Sequence, residues 1–168
     1  VARALIVGCG CRGRLLGARL LEQGWAVRGT SRRSEGLSAI EAAGIEPALA
    51  DPERPATLLD LLGDVAVVHW LLGSAQGTPA AVAAIHGERL ERLLEKLVDT
   101  PVRGFVYERG GSVHPRLTVA GEGIVRVAAA TWRIPVEVVE TGADDRPAWL
   151  EAMARATSKA VSGGRESI

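Results

Sequence analysis

Near the N-terminus, Gly8-Cys9-Gly10-Cys11-Arg12-Gly13 spaces three glycines as G-x-G-x-x-G between an apolar run and a segment of helical period. That spacing suits the binding of a pyrophosphate. Gly8 permits a tight turn, Gly10 lets the backbone approach the phosphates, and Gly13 lets the following helix pack close to the strand. The free amides and partial positive charge of the helix N-terminus then face the anion. Gly8, Gly10, Cys11, Arg12 and Gly13 are therefore expected cofactor contacts. Without a ligand the same spacing makes only a tight strand-to-helix turn. FAD and S-adenosylmethionine are alternative occupants of such a cradle.

The second strand is expected to end near Thr30, where a dinucleotide site places the residue that reads the ribose. No acid stands there. Thr30-Ser31-Arg32-Arg33 offers hydroxyls and two guanidiniums, and Ser31, Arg32 and Arg33 are expected to hold a 2′-phosphate through charge-assisted bonds. This favours NADP over NAD, and it withholds the acid that S-adenosylmethionine prefers.

Ligands of an open parallel sheet gather outside the carboxyl ends of its strands, here Trp70 to Gln76, Glu108 to His114 and Glu140 to Asp145. Glu108, Arg109, Ser112 and His114 form the candidate catalytic cluster. The first two are expected to bind a polar substrate or to pair with each other, and His114 to exchange a proton near neutral pH. Salt-bridge and turn roles fit the same residues. His69, in an apolar strand, reads as a hydrogen-bonded core histidine, and Trp70 as core or as a border of the nicotinamide pocket. His86 lacks a second histidine at metal spacing and reads as helix surface, and no metal site is expected. Asp144-Asp145 suits the cap of the last helix. The only cysteines, Cys9 and Cys11, are poorly spaced for a disulfide and read as small loop fillers, with a reactive thiolate at Cys11 or Cys9 as the alternative.

These residues need a scaffold, and the patterning specifies an α/β one. Short apolar runs predict strands at Arg3 to Val7, Ala26 to Gly29, Ile45 to Leu49, Val65 to Leu71, Gly104 to Tyr107 and Val136 to Val139. Amphipathic segments predict helices at Arg12 to Gln23, Ser34 to Ala43, Ala56 to Leu62, Pro79 to Val98, Val119 to Thr131 and Pro147 to Lys159. In the fourth helix Leu90, Leu93, Leu94 and Leu97 form the core stripe. This alternation predicts a three-layer, doubly wound Rossmann fold, its mostly parallel sheet of about six strands ordered 3-2-1-4-5-6. The expected organisation is a single domain over 1–160 with a flexible, glycine-rich tail over 161–168. With 20 basic and 20 acidic residues among 168 and 47% hydrophobic residues, nothing calls for a nucleic-acid partner. No apolar run reaches membrane-spanning length, so a cytoplasmic protein acting on a small molecule is expected.

From Ala4 to Val139 the order of motifs resembles the extended and atypical short-chain dehydrogenase/reductases, the group of NAD-dependent epimerases and dehydratases. Ala4 to Gly13 resembles their first strand and phosphate loop. Ala50-Asp51 resembles the acidic position that bonds the adenine amino group. Val67-Val68-His69-Trp70-Leu71-Leu72-Gly73 resembles the fourth-strand segment lying along the cofactor, which makes Leu71, Leu72 and Gly73 expected cofactor contacts. Phe105 to His114 resembles the fifth strand and its turn, and Ala128 to Val139 the helix and sixth strand beyond.

That family's Tyr-x-x-x-Lys pair has no counterpart. The only tyrosine is Tyr107, with Gly111 four residues later, and the only lysines are Lys96 and Lys159. Two expectations follow: an oxidoreductase or epimerase working with other residues, or a nonenzymatic NADP(H)-dependent sensor. By the same resemblance, the fourth helix and Val119 to Thr131 are expected faces of a homodimer.

Overall fold

The computed structural model describes residues 1–163. Six strands, β1 (Arg3–Val7), β2 (Ala26–Ser31), β3 (Glu46–Leu49), β4 (Val65–Trp70), β5 (Gly104–Glu108) and β6 (Val136–Val139), form one sheet ordered β3-β2-β1-β4-β5-β6. All five pairings are parallel. Successive side chains of a strand point to opposite faces, so the apolar run of central β1 feeds two cores at once. Ala4 and Ile6 join Leu16 and Leu20 of α1 (Cys11–Glu22), Ile40 of α2 (Leu37–Ala42), and Trp149 and Met153 of α7 (Arg146–Ser162). Leu5 and Val7 face the other way. They join Leu58 of α3 (Pro55–Leu59), Ile85 of α4 (Pro79–Ile85), the leucine stripe of α5 (Glu88–Leu97) and Val125 of α6 (Pro115–Trp132).

The single helix expected over Pro79 to Val98 is two helices broken at His86 and Gly87. His86, expected on the surface, is instead buried, with 1% of its area exposed. Its Nε2–H donates to the Leu72 carbonyl at 2.8 Å, and its Nδ1 accepts from the Tyr107 hydroxyl at 2.7 Å. The helix breaks where the ring must turn inward to reach them. α6 starts four residues earlier than expected, at Pro115, because His114 caps it: Nδ1 accepts from Arg116 N at 3.1 Å. α7 runs on to Ser162, so 161–162 of the expected tail are helical, and 164–168 lie outside the described residues. Other strand and helix ends fall within a few residues of the expected ones, β2 running to Ser31 and β5 to Glu108. No helix among the described residues is long and apolar enough to cross a membrane.

Candidate functional site

A cleft of about 600 Å³ opens at the carboxyl ends of the central strands, floored by the glycine loop. Gly8 turns there at φ +84°, and a Cβ on it would stand 2.6 Å from the Leu71 carbonyl oxygen, so only glycine fits. The loop is tied to β2: Gly8 N donates to Thr30 Oγ1 at 3.3 Å and Cys9 N to the Thr30 carbonyl at 3.0 Å. Cys9 is buried against Gly29, where a Cβ would lie 2.5 Å from its Sγ. Burial pushes the Cys9 thiol up to about 12, while Cys11 is exposed on the cleft. Gly13 brings α1 onto β1, its notional Cβ 3.1 Å from the Gly8 oxygen. By contrast a Cβ on Gly10 would meet nothing within 4 Å. The space above the loop is open, and no side chain caps α1, whose first turn carries no acid. Such a loop has the geometry to hold an anion, and the residues present fit a pyrophosphate that the loop amides would hold.

At the β2 end, Ser31 Oγ donates to the Arg33 carbonyl at 2.8 Å and accepts from Arg33 N at 3.1 Å. This turn leaves Ser31 and Arg32 lining the cleft and carries Arg33 out of the lining, into the cap of the short 3₁₀ turn Ser34–Gly36. Arg32 also donates to the Gln76 carbonyl at 3.3 Å. Arg14 lines the cleft as well and has no ion-pair partner among the described residues. Two residues along a helix are about 200° apart around its axis, so Arg14 and Arg12 leave α1 on opposite sides. Arg12 reaches β5, which directs Arg14 toward β2. Asp51 stands just behind the lining, its Oδ1 accepting from Glu53 N at 2.9 Å, with Pro52 in the cleft wall. Leu71 and Leu72 line the cleft, whereas Gly73 stands behind it.

At the β5 end the four candidate catalytic residues do not assemble. Glu108 alone lines the cleft, and its side chain is wholly buried. Its carboxylate accepts from Gly73 N at 2.9 Å, Trp149 Nε1 at 2.9 Å and Arg12 Nη1 at 2.8 Å. Burial raises its pKa, against the opposing pull of Arg12 and the other donors. Arg109 turns away from Glu108 and pairs with Glu122 at 2.9 Å and Glu140 at 2.5 Å. Ser112 N donates to Ser74 Oγ at 3.1 Å in an exposed loop, and His114 is the α6 cap. Tyr107 is buried, its hydroxyl bonded to His86 and 3.4 Å from the Thr118 carbonyl, and burial raises its pKa. His69 is the expected core histidine, its Nε2 2.7 Å from Thr157 Oγ1. Trp70 is core, donating to the Ile85 carbonyl at 3.0 Å, and Asp145 caps α7 through Ala148 N at 3.0 Å.

Arg14, Ser74 and Arg146 line the cleft and Trp149 bonds Glu108; none was singled out from the sequence, although Ser74 lies in the Trp70 to Gln76 loop expected to gather ligands. Arg12, Arg14 and Arg146 did leave a signal. Each is a cation in the first turn of a helix, where the dipole disfavours it by roughly 0.3–1 kcal/mol. Trp149 left none.

The fold matches many solved structures. One is a UDP-glucuronic acid 4-epimerase from Bacillus cereus in complex with NAD and a UDP-sugar analogue, with TM-score 0.66 and 17% identity over 82% of this chain and 55% of that one. A short-chain dehydrogenase/reductase superfamily protein from Agrobacterium tumefaciens with bound NAD matches with TM-score 0.68 and 24% identity over 82% and 48%. A UDP-glucose 4-epimerase from Thermotoga maritima with UDP-glucose matches with TM-score 0.69 and 17% identity over 82% and 54%. The chain spans about half the length of these proteins. At such identities the likeness establishes the fold, a Rossmann-like sheet of the kind found in short-chain dehydrogenases and epimerases. No family profile and no curated protein matches the sequence.

Proposed function

We propose that the chain binds NADP(H), the adenosine half over β2, the pyrophosphate on the glycine loop and the nicotinamide half toward β5. One observation carries the reading: an open cleft over an uncapped helix N-terminus, with Arg14 and Arg32 in its lining and, among the described residues, Glu108 as the one acid there. From β2 to β5 is three strand spacings, about 14 Å, a span suited to an extended dinucleotide. Ser31, Arg32 and Arg14 supply the 2′-phosphate clamp, with Arg14 in the place first expected of Arg33. Bound there, the nicotinamide ring supplies hydride transfer. The chain's own residues bind and orient it, and Leu71, Leu72 and Ile85 keep water from that wall.

The surroundings of Glu108, Arg109, Ser112 and His114 favour a second reading beside the atypical oxidoreductase, that of a nonenzymatic NADP(H)-responsive protein. Glu108 is fully partnered, and the other three stand outside the cleft lining. Calorimetric titration with NADPH and NADH tests the cofactor assignment. Arg14→Ala and Arg32→Ala should each weaken NADPH by roughly 10-fold or more, the worth of a charge-assisted bond, and leave NADH little changed, while Arg33→Ala changes NADPH less than about 3-fold. Equal loss of both cofactors, or loss only in Arg33→Ala, would remove the clamp. Oxidation of bound NADPH by added carbonyl compounds separates the two readings.

A further inference from the structure

The Arg12 side chain is held as a receptor with one face unused. Glu108 takes a single N–H from it at 2.8 Å, and the guanidinium lies over the Trp149 ring, 5.6 Å from its centre. Arginine carries five donors in a planar fork, and Arg12 keeps 22% of its side chain exposed on the cleft. Glu108 is wholly buried, a position a carboxylate holds only when well satisfied. Gly73 N and Trp149 Nε1 satisfy it independently of Arg12, which makes it a fixed post that orients the guanidinium. Arg146 lines the same end of the cleft with Ala143, exposed and without an ion-pair partner among the described residues. The pyrophosphate does not account for these cations. The loop's backbone amides, that of Arg12 included, would serve a pyrophosphate over β1, whereas the Arg12 side chain is turned to Glu108 at the end of β5, two strand spacings or about 10 Å across the sheet.

We infer that Arg12 and Arg146 receive the oxyanion of a small acidic substrate, a carboxylate or a phosphate ester, beside the nicotinamide end of the cleft. Glu108 and Trp149 are positioning residues for Arg12. The inference rests on the reading that the cleft holds a dinucleotide. It identifies the chemical class of the second ligand that such a site would take.

The test is calorimetric titration of the NADPH-saturated chain with 2-oxoglutarate, citrate and glycerol 3-phosphate, with ADP titrated into the free protein as the control for cofactor phosphates. At least one acid should bind and quench indole fluorescence, and the quench should vanish in Trp149→Phe. The two carboxylates against the phosphate ester distinguish the oxyanion. Arg146→Ala, a change at an exposed side chain, and Arg12→Lys, which keeps the charge but gives up the fork, should each weaken that acid about 10-fold or more, and Arg146→Ala should leave ADP within about 3-fold. NADPH binding with no acid bound, or an acid indifferent to both substitutions, overturns the inference and spares the cofactor reading. Parallel loss of ADP in Arg146→Ala would return that arginine to the cofactor's phosphates and overturn the inference. Failure of NADPH itself to bind would overturn the cofactor reading first and this inference with it.

Discussion

Replacing Glu108 with alanine should cost the fold far more than an exposed acid would. The carboxylate is wholly buried and receives Gly73 N, Trp149 Nε1 and Arg12 Nη1. Alanine leaves the first two N–H groups buried without acceptors, at roughly 1–3 kcal/mol each. Arg12, still 22% exposed, can turn into the cleft, so its loss adds little. The sum is about 4 kcal/mol, a large part of the roughly 5–15 kcal/mol that holds a domain together. For a domain of this size each kcal/mol moves the melting temperature by about 2–4 °C, which gives a fall of roughly 8–16 °C. Thermal and urea denaturation at pH 7 measure it directly. Glu108→Gln should lie between, since its carbonyl still accepts from Gly73 while its amide opposes another donor. A catalytic acid often behaves the other way, its removal leaving the protein as stable or more so. If Glu108→Ala melts within about 2 °C of the parent, the locked-post account is wrong and Glu108 returns as a candidate acid.

Acid should destabilise the protein through His69, whose pKa burial pushes down to about 4 from its ordinary 6.5. Between those values the unfolded chain binds the proton and the folded chain does not. Stability is therefore full above pH 6.5 and falls by about 3 kcal/mol on the way to pH 4. Urea melts across that range should show the slope, and a His69→Gln variant that keeps all of it would refute the assignment. Iodoacetamide should label Cys11 and leave Cys9 untouched, because Cys11 is exposed on the cleft and burial pushes the Cys9 thiol up to about 12. Saturating NADPH should slow that labelling by about 10-fold or more. Unchanged labelling, read by mass spectrometry, would place the ligand elsewhere.

Much of the scaffold was legible because its signals are local. The apolar run Ala4 to Val7 announces a strand buried on both faces, and the glycine spacing that follows requires the tight turn Gly8 makes at φ +84°. The break between α4 and α5 was not legible. The apolar periodicity runs through it, and the cause is His86 reaching Leu72 and Tyr107, 14 and 21 residues away. The site divides the same way. Its cradle is one continuous segment, whereas the Glu108 post joins Arg12 across 96 residues and Trp149 across 41. Arg33 and Arg32 look equivalent as letters. They part because Ser31 Oγ bonds both the N–H and the carbonyl of Arg33 and turns it away.

The most direct test of the cradle is NADPH titration of the parent chain beside Gly10→Ala. A methyl at Gly10 meets no atom within 4 Å, at a φ of −83°, so folding should change by less than about 0.5 kcal/mol. The same methyl projects into the space the pyrophosphate must enter. The account predicts that the parent binds NADPH and that Gly10→Ala, folded and equally stable, binds it at least about 10-fold more weakly. Equal binding by both, or binding by neither, would contradict it.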